Sequence, residues 1–309
     1  MHFEHMPLIK VIRLARPQFL LASLVLFIMG AAWAIILGTD PGFWKLLWGY
    51  LIVFCAQLSV SFSNDFFDAE SDRYGDPSLF AGGSGILVEN PELKVFSWKA
   101  AVSLILFSLF LGFTFTVFYV YPFWFFGLIV VGNLLGWYYA APPIRLSSRG
   151  LGEISTCIIA GTFLPGMGYL AAAGTLDGNG FVIMIPLLLI GLAFILSVEI
   201  PDMEADQQGG KWTWVARKGR AFGFRVVGIL LLSVAAYYFL VPFITAKPLP
   251  VNFRILGLFS LLPLGAAWIG IKKRPEDKKE STLIVNTIIG GMIAFFVLAD
   301  TYFVYLAIK

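Results

Sequence analysis

Two groups of acidic and amide side chains directly follow long apolar segments of this sequence. The first contains Asn64, Asp65, Asp68 and Asp72, and the second contains Asp202, Glu204 and Asp206. Carboxylates are costly to crowd together at a membrane boundary, so such groups indicate a shared divalent cation and an anionic ligand. Mg²⁺ suits this pattern because it takes a few carboxylate oxygens and completes its coordination with water and phosphate oxygens. If the groups face each other across a cavity, they can hold a diphosphate through bridging metal ions.

Helical spacing separates stronger candidates from weaker ones. The members that share a stripe at i, i+4 and i+8, or at i and i+4, are Asn64, Asp68 and Asp72, and Asp202 and Asp206. Asp65 lies off that stripe and is expected to orient Asp68 or a basic partner. Glu204 lies on the face opposite Asp202, which leaves a solvated or salt-bridged role open. A reading of all these acids as solvated helix ends conflicts with the helix macrodipole, which disfavours carboxylates at a C-terminal end.

The elements that must position these residues are membrane-spanning helices. Of the 309 residues, 59% are hydrophobic and 13% are charged, and the mean hydropathy is +0.83, which excludes a soluble domain. Hydropathy and length predict an all-α polytopic protein with one domain over residues 1–309 and nine spans around a central cavity. The predicted spans are 17–38, 43–65, 96–117, 119–140, 152–173, 181–201, 221–242, 253–271 and 283–305.

Basic residues orient this stack of helices. With the N-terminus inside, 18 of the 22 Lys and Arg residues fall in loops on one side and only four on the other. Because short basic loops are retained in the cytoplasm, we expect a protein of the cytoplasmic membrane with both acidic groups on its cytoplasmic side. Nucleic acid is not an expected partner, and Cys55 and Cys157 fall within spans without disulfide or zinc spacing.

The acidic groups resemble the motifs of a known family. Residues 64–72, Asn-Asp-Phe-Phe-Asp-Ala-Glu-Ser-Asp, resemble the NDxxDxxxD motif of the UbiA superfamily of intramembrane prenyltransferases. Residues 202–206, Asp-Met-Glu-Ala-Asp, resemble its second motif, DxxxD. Members have nine transmembrane helices, and the two motifs follow the second and sixth. The resemblance implies Mg²⁺-dependent transfer of a polyprenyl group from its diphosphate to an acceptor, usually an aromatic one.

The resemblance also implies roles for single residues. Asp68, Asp72, Asp202 and Asp206 are expected to coordinate Mg²⁺ and the diphosphate, with Asn64 as a neutral ligand or as a residue that orients them. Cations are expected to grip the leaving diphosphate, because Arg and Lys stabilise a departing phosphate group. Further candidates for binding the diphosphate or the acceptor are Asp65, Arg16, Arg73, Tyr139, Arg145, Glu199 and Lys211. Arg16 and Tyr139 also fit ordinary interfacial roles.

The acceptor is the less determined substrate. Residues 138–145 lack the YxxxK element of some members, because Pro143 stands four residues after Tyr139 and the nearest cation is Arg145. The string through Glu153 resembles the menaquinone-type branch, whose acceptor is 1,4-dihydroxy-2-naphthoate. Open alternatives are a glycerol-phosphate lipid acceptor, a tetrapyrrole acceptor, and a secondary transporter with buried acids.

Residues Gly82, Gly83, Ser84 and Gly85 form the remaining suggestive segment. They lack the Gly-Lys-Ser/Thr ending of a nucleotide-binding loop, so ATP is not expected. The segment is predicted to cap the cavity or to serve as a plain connector.

Overall fold

Nine long helices make up most of the described part of the chain. The computed structural model describes residues 8–75, 80, 83–244 and 249–309. The helices long and apolar enough to cross a membrane are α1 (Pro17–Ile36), α2 (Phe43–Asp68), α3 (Lys94–Phe118), α4 (Phe123–Ala140), α5 (Gly152–Ala173), α6 (Gly178–Gln208), α7 (Arg220–Ile244), α8 (Phe253–Lys273) and α9 (Lys278–Ile308). Short helices at Leu8–Ala15, Ser71–Tyr74, Ile86–Glu89, Pro91–Leu93, Leu146–Arg149 and Trp214–Lys218 connect or precede them.

The predicted spans are confirmed over the described residues, with two informative extensions. Helix α2 continues to Asp68 and α6 to Gln208, each beyond the predicted end of the apolar span. Asn64, Asp65 and Asp68 are therefore held on the last turns of α2. The continuous stripe predicted for this motif is wrong at its far end, because α2 ends at Asp68 and Asp72 lies in a separate 3₁₀ turn.

Local sequence signals account for where several helices begin and end. Pro17 occupies the first turn of α1, where the missing N–H costs nothing. Asp177, Asn252 and Asp277 cap the N-termini of α6, α8 and α9 by accepting a backbone N–H. Gly174 ends α5 in the left-handed conformation that suits glycine.

Packing around α1 and α5 defines the centre of the bundle. Gly168 of α5 lies so close to α1 that a Cβ atom there would be 2.0 Å from the Phe27 carbonyl oxygen. Such close approach of small residues is a common way for membrane helices to associate. Trp33 of α1 is fully buried between Phe253 and Phe303, and its indole N–H donates to the Asn179 carbonyl oxygen at 2.8 Å. These contacts tie the first helix to the last two and leave a cavity beside α1. Both cysteines are free thiols.

Candidate active site

A cavity of about 720 Å³ lies at the ends of α2 and α6 and continues between the helices. Both acidic motifs line it, through Asn64, Asp65, Asp68 and Asp72 and through Asp202 and Asp206. Arg16, Tyr139, Glu199 and Lys211 line the same cavity. Ten of the twelve residues predicted for the site are thus brought together, although the two motifs are 130 residues apart in the chain.

Lys211 ties the second motif to the first. It lies just beyond α6, and its Nζ is 3.0 Å from Asp68 Oδ2 and 3.4 Å from Asp72 Oδ1. Burial by itself lowers the pKa of Lys211, but the charges of Asp68 and Asp72 outweigh it and raise the pKa above its usual value. The ammonium group therefore stays charged and offsets the repulsion between the two carboxylates.

Asp72 is placed by its 3₁₀ turn and by Gly83. A Cβ atom on Gly83 would be 2.1 Å from Asp72 Oδ2, and Gly83 has a φ of +67°. Only glycine fits there without displacing the carboxylate or straining the backbone. Burial is the main cause that raises the pKa of Asp72 to about 6, and Lys211 opposes that shift. Asp72 is thus ionised at neutral pH but close to the range where it takes up a proton.

The Gly83–Gly85 segment closes over the first motif. The Ser84 backbone N–H donates to Asp65 Oδ1 at 3.3 Å, and Arg13 Nη2 donates to the Ser84 carbonyl oxygen at 3.5 Å. Asp65 is buried, with 3% of its surface exposed. The capping role predicted for this segment fits these contacts, which Gly83 and Ser84 make; Gly82 lies outside the described residues.

The second motif is held by the loop that follows α6. Thr213 Oγ1 donates to Asp206 Oδ2 at 3.2 Å, and the Lys211 N–H donates to the Asp206 carbonyl oxygen at 2.8 Å. Glu153 of α5 accepts the Trp214 N–H at 2.6 Å, and the Trp214 indole donates to the Gly150 carbonyl oxygen at 2.9 Å. The start of α5 therefore fixes the loop that presents Lys211 and Thr213.

The oxygen atoms of the two motifs are suitable ligands for a divalent cation. Asn64 Oδ1 is buried and has no hydrogen-bond donor, which leaves it available as a neutral ligand. Over the described part of the chain, no three acidic, His or Cys side chains lie close enough to hold one ion by themselves. An ion here must take its other ligands from water or from the substrate, as Mg²⁺ at phosphate sites does. The residues fit Mg²⁺ on that condition.

Three charged side chains that the sequence analysis considered for the site do not line the cavity. Arg73 and Arg145 are exposed and do not line the cavity. Glu204 forms two hydrogen bonds with Arg220, which also donates to the Ile200 and Glu276 carbonyl oxygens. The salt-bridged role left open for Glu204 is the one observed. The structure does not bring Arg73 or Arg145 to the other candidates.

Away from the acids, the wall of the cavity is apolar and partly aromatic. Phe80 contacts Phe19 and Phe194 edge to face, with ring centroids 6.0 and 5.8 Å apart. The aromatic side chains on the wall are Phe19, Phe80, Tyr139, Phe163, Phe194 and Phe296. Aromatic faces stabilise cations, and an apolar wall excludes water. One end of the cavity is thus charged, and the rest of its wall is mostly apolar.

Three contributing residues escaped the sequence prediction. Thr213 and Ser147 line the cavity, and Glu153 lies behind Glu199. The position of Thr213, two residues after Lys211, was an available signal. The contact between Gly83 and Asp72 could not be predicted, because the two residues are eleven positions apart and no local pattern links them.

The fold and the cavity define an integral membrane protein of helices with an acid-lined site at one end. The profile of the UbiA prenyltransferase family matches residues 23–298. The chain belongs to that family and is a prenyltransferase. A search of curated proteins finds no match.

Solved structures show the same fold. A UbiA homologue from Archaeoglobus fulgidus, described as bound to GPP and Mg²⁺, has a TM-score of 0.68 and 16% identity, over 97% of this chain and 100% of that one. A structure described as digeranylgeranylglyceryl phosphate synthase has a TM-score of 0.66 and 19% identity, over 96% and 99%. The apo UbiA homologue from Aeropyrum pernix K1 has a TM-score of 0.60 and 16% identity, over 87% and 96%.

Proposed function

We propose that this protein transfers a polyprenyl group from its diphosphate to an acceptor in a Mg²⁺-dependent reaction on the cytoplasmic side of the membrane. The observation that carries the proposal is the convergence of both acidic motifs on one cavity, with Lys211 between them. Bound Mg²⁺ would neutralise the diphosphate and polarise its departing oxygens as a Lewis acid.

This chain's residues supply the remaining functions. Asp68, Asp72, Asp202 and Asp206 would hold Mg²⁺ and, through it, the diphosphate, and Asn64 would add a neutral oxygen. Lys211 and Arg16 supply positive charge as the allylic C–O bond breaks and the electron pair leaves with the diphosphate. The aromatic wall stabilises the allylic cation and keeps water away until the acceptor attacks.

For the acceptor we propose a naphthoate-like aromatic compound of quinone biosynthesis. Two observations support this acceptor. The sequence from Tyr138 to Glu153 resembles the menaquinone-type branch, and Tyr139 of that segment lines the cavity. A glycerol-phosphate lipid is the second candidate. It is favoured by the likeness of fold to digeranylgeranylglyceryl phosphate synthase.

A labelled prenyl diphosphate supplied with a panel of naphthoate, hydroxybenzoate and glycerol-phosphate acceptors tests the proposal. We expect diphosphate release and one labelled product, both lost on removal of Mg²⁺. The Asp68→Ala and Asp202→Ala double variant should reduce turnover by at least about a thousandfold. Glu280→Gln, at an exposed ion pair with Lys273, is the matched control.

Either of two results would overturn the enzymatic proposal. One is that no acceptor in the panel releases diphosphate. The other is that the double variant turns over as fast as the wild type. A product formed only with the glycerol phosphate would keep the enzyme and replace the aromatic acceptor.

A further inference from the structure

A second polar region lies on the cavity wall near the start of α5. Tyr139, Ser147, Gly152, Thr156 and Glu199 line it. The Tyr139 hydroxyl is hydrogen-bonded to Thr156. A Cβ atom on Gly152 would lie 2.9 Å from Ser147 Cα and 3.4 Å from the Tyr139 ring, so these residues are in direct contact. We call this set, together with Glu153 behind Glu199, the α5 corner.

Glu153 and Glu199 form a carboxyl pair in this corner. Glu199 contacts Glu153 and accepts the Val215 N–H, and Glu153 accepts the Trp214 N–H. Glu153 is fully buried, and Glu199 has 6% of its surface exposed, on the cavity side. Two backbone amides of the loop after α6 thus fix one oxygen of each carboxyl group.

The other oxygens of the corner lack hydrogen-bond donors. Glu199 Oε2, Glu153 Oε2 and Ser147 Oγ are all buried and have no partner. Leaving buried polar atoms unpaired costs free energy, so several in one place indicate a bound partner. Among the described residues, Glu153 and Glu199 form no ion pair with Lys or Arg, in contrast with Asp68 and Asp72.

The chemistry of the missing partner follows from these groups. Two buried carboxyl groups in contact, with no ion pair to Lys or Arg in the part of the chain that the structure describes, accept hydrogen bonds and repel anions. A ligand that satisfies this pair offers a neutral hydroxyl group, and its carboxylate or phosphate, if present, must point elsewhere.

We propose that the α5 corner binds a hydroxyl group of the acceptor substrate, with Glu199 as the hydrogen-bond acceptor that touches it. Glu153 is a positioning residue that orients Glu199. The proposal rests on the proposed function for the identity of the ligand as acceptor. The site selects acceptors by a hydroxyl donor, separately from the aspartates that hold the diphosphate.

The test is a binding measurement that needs no turnover. The full chain, in detergent with Mg²⁺ and inorganic diphosphate, is titrated with 1-naphthol and with 1-methoxynaphthalene, in which a methyl ether replaces the hydroxyl donor. We expect the wild type to prefer the naphthol by about tenfold or more, and Glu199→Gln, whose amide oxygen is a weaker acceptor than a carboxylate, to lower that preference by several fold. Glu280→Gln controls for loss of a carboxylate outside the site, and protein-free micelles control for partition of the probes into detergent.

The Glu153 variants separate positioning from structure. Glu153→Gln keeps an oxygen for the Trp214 N–H, so the loop should stay docked while the preference for the naphthol falls. Glu199→Asp should recover part of the preference that Glu199→Gln loses. A merely structural role would instead lower the melting temperature and leave the ratio of the two affinities unchanged.

Two results would overturn the proposal. One is an unchanged naphthol preference in a folded Glu199→Gln variant, which would mean that the carboxyl pair satisfies itself. The other is a wild type without any preference. If Glu199→Gln does not fold, Ser147→Ala replaces it and must lower the preference by a few fold.

The outcome is distinguishable from failure of the proposed function. If the wild type prefers the naphthol but no acceptor releases diphosphate, the hydroxyl site stands without the transferase reaction. If diphosphate is released while Glu199→Gln leaves every acceptor KM unchanged, the transferase stands and the hydroxyl site falls.

Discussion

One cavity holds two pairs of carboxyl groups in opposite surroundings. Asp68 and Asp72 face the ammonium group of Lys211, whereas Glu153 and Glu199 face the backbone amides of Trp214 and Val215. A carboxyl pair that faces a cation is suited to binding a metal ion, which can take the place of that cation. A carboxyl pair that faces neutral amides is suited to binding a neutral hydrogen-bond donor. The same residue chemistry thus serves two different ligands, and the loop of residues 209–219 supplies the partners of both pairs.

The largest expected effect comes from removing the cation of the aspartate pair. Lys211→Met leaves two partly buried carboxylates without their shared partner, which should destabilise the metal-free protein by about 1–3 kcal/mol. Mg²⁺ replaces that charge, so added Mg²⁺ should raise the melting temperature more in the variant than in the wild type. The measurement is thermal unfolding in detergent with and without Mg²⁺. An equal rise in both proteins would show that Lys211 and the metal do not share the same carboxylates.

A smaller effect is expected from crowding Asp72 alone. Gly83→Ala places a methyl group on the Asp72 carboxylate and should weaken Mg²⁺ binding by about tenfold. Gly174→Ala is the control, because it has a φ of +79° with its nearest contact 3.9 Å away. Both variants carry backbone strain of about 1–2 kcal/mol, but only the first touches the site. Equal Mg²⁺ dependence of activity in the two variants would contradict this account.

The aspartate pair should also respond to pH. Burial raises the pKa of Asp72 to about 6 in the metal-free protein. Protons therefore compete with Mg²⁺ as the pH falls through about 6, and the Mg²⁺ concentration needed for half-maximal activity should rise. Lys211 opposes the raised pKa, so Lys211→Met should move this transition to higher pH. Titrations of activity against Mg²⁺ between about pH 5 and 8 measure both, and a transition unmoved in the variant would contradict the assigned cause.

The smallest effect should come from the acid that points out of the cavity. Glu204→Gln keeps a hydrogen bond to Arg220, and the Glu204 side chain is 46% exposed. The expected loss of stability is below about 1 kcal/mol, with kcat and KM unchanged. Steady-state kinetics beside Asp206→Asn make the comparison within one motif. A large loss of kcat in Glu204→Gln would require that side chain to belong to the site.

Much of the fold could be predicted because each membrane-spanning helix satisfies its own backbone hydrogen bonds. Hydropathy located all nine spans that the described residues contain, and helical spacing separated Asp202 and Asp206 from Glu204. The residues at which the helices end could not be predicted as well. Helix α2 continues through polar residues to Asp68, and Asp72 follows in a turn that no apolar pattern marks.

The basic residues illustrate the limit of local patterns. Lys211 and Arg145 both lie in basic loops on the same predicted side of the membrane, and no local pattern distinguishes them. Lys211 reaches Asp68 because Glu153 holds the following turn against α5, whereas Arg145 lies exposed beyond α4. That difference depends on contacts between residues far apart in the chain.

Hydropathy and spacing within single helices were enough to predict the nine spans of the described residues, the two acidic motifs and the family. Which charged groups meet depends instead on the packing of the folded chain. That packing places Lys211 between two aspartates, Gly83 against one of them, and Glu153 against Glu199. Such contacts are set by the packing of loops against helix ends, where no period in the sequence specifies the partner.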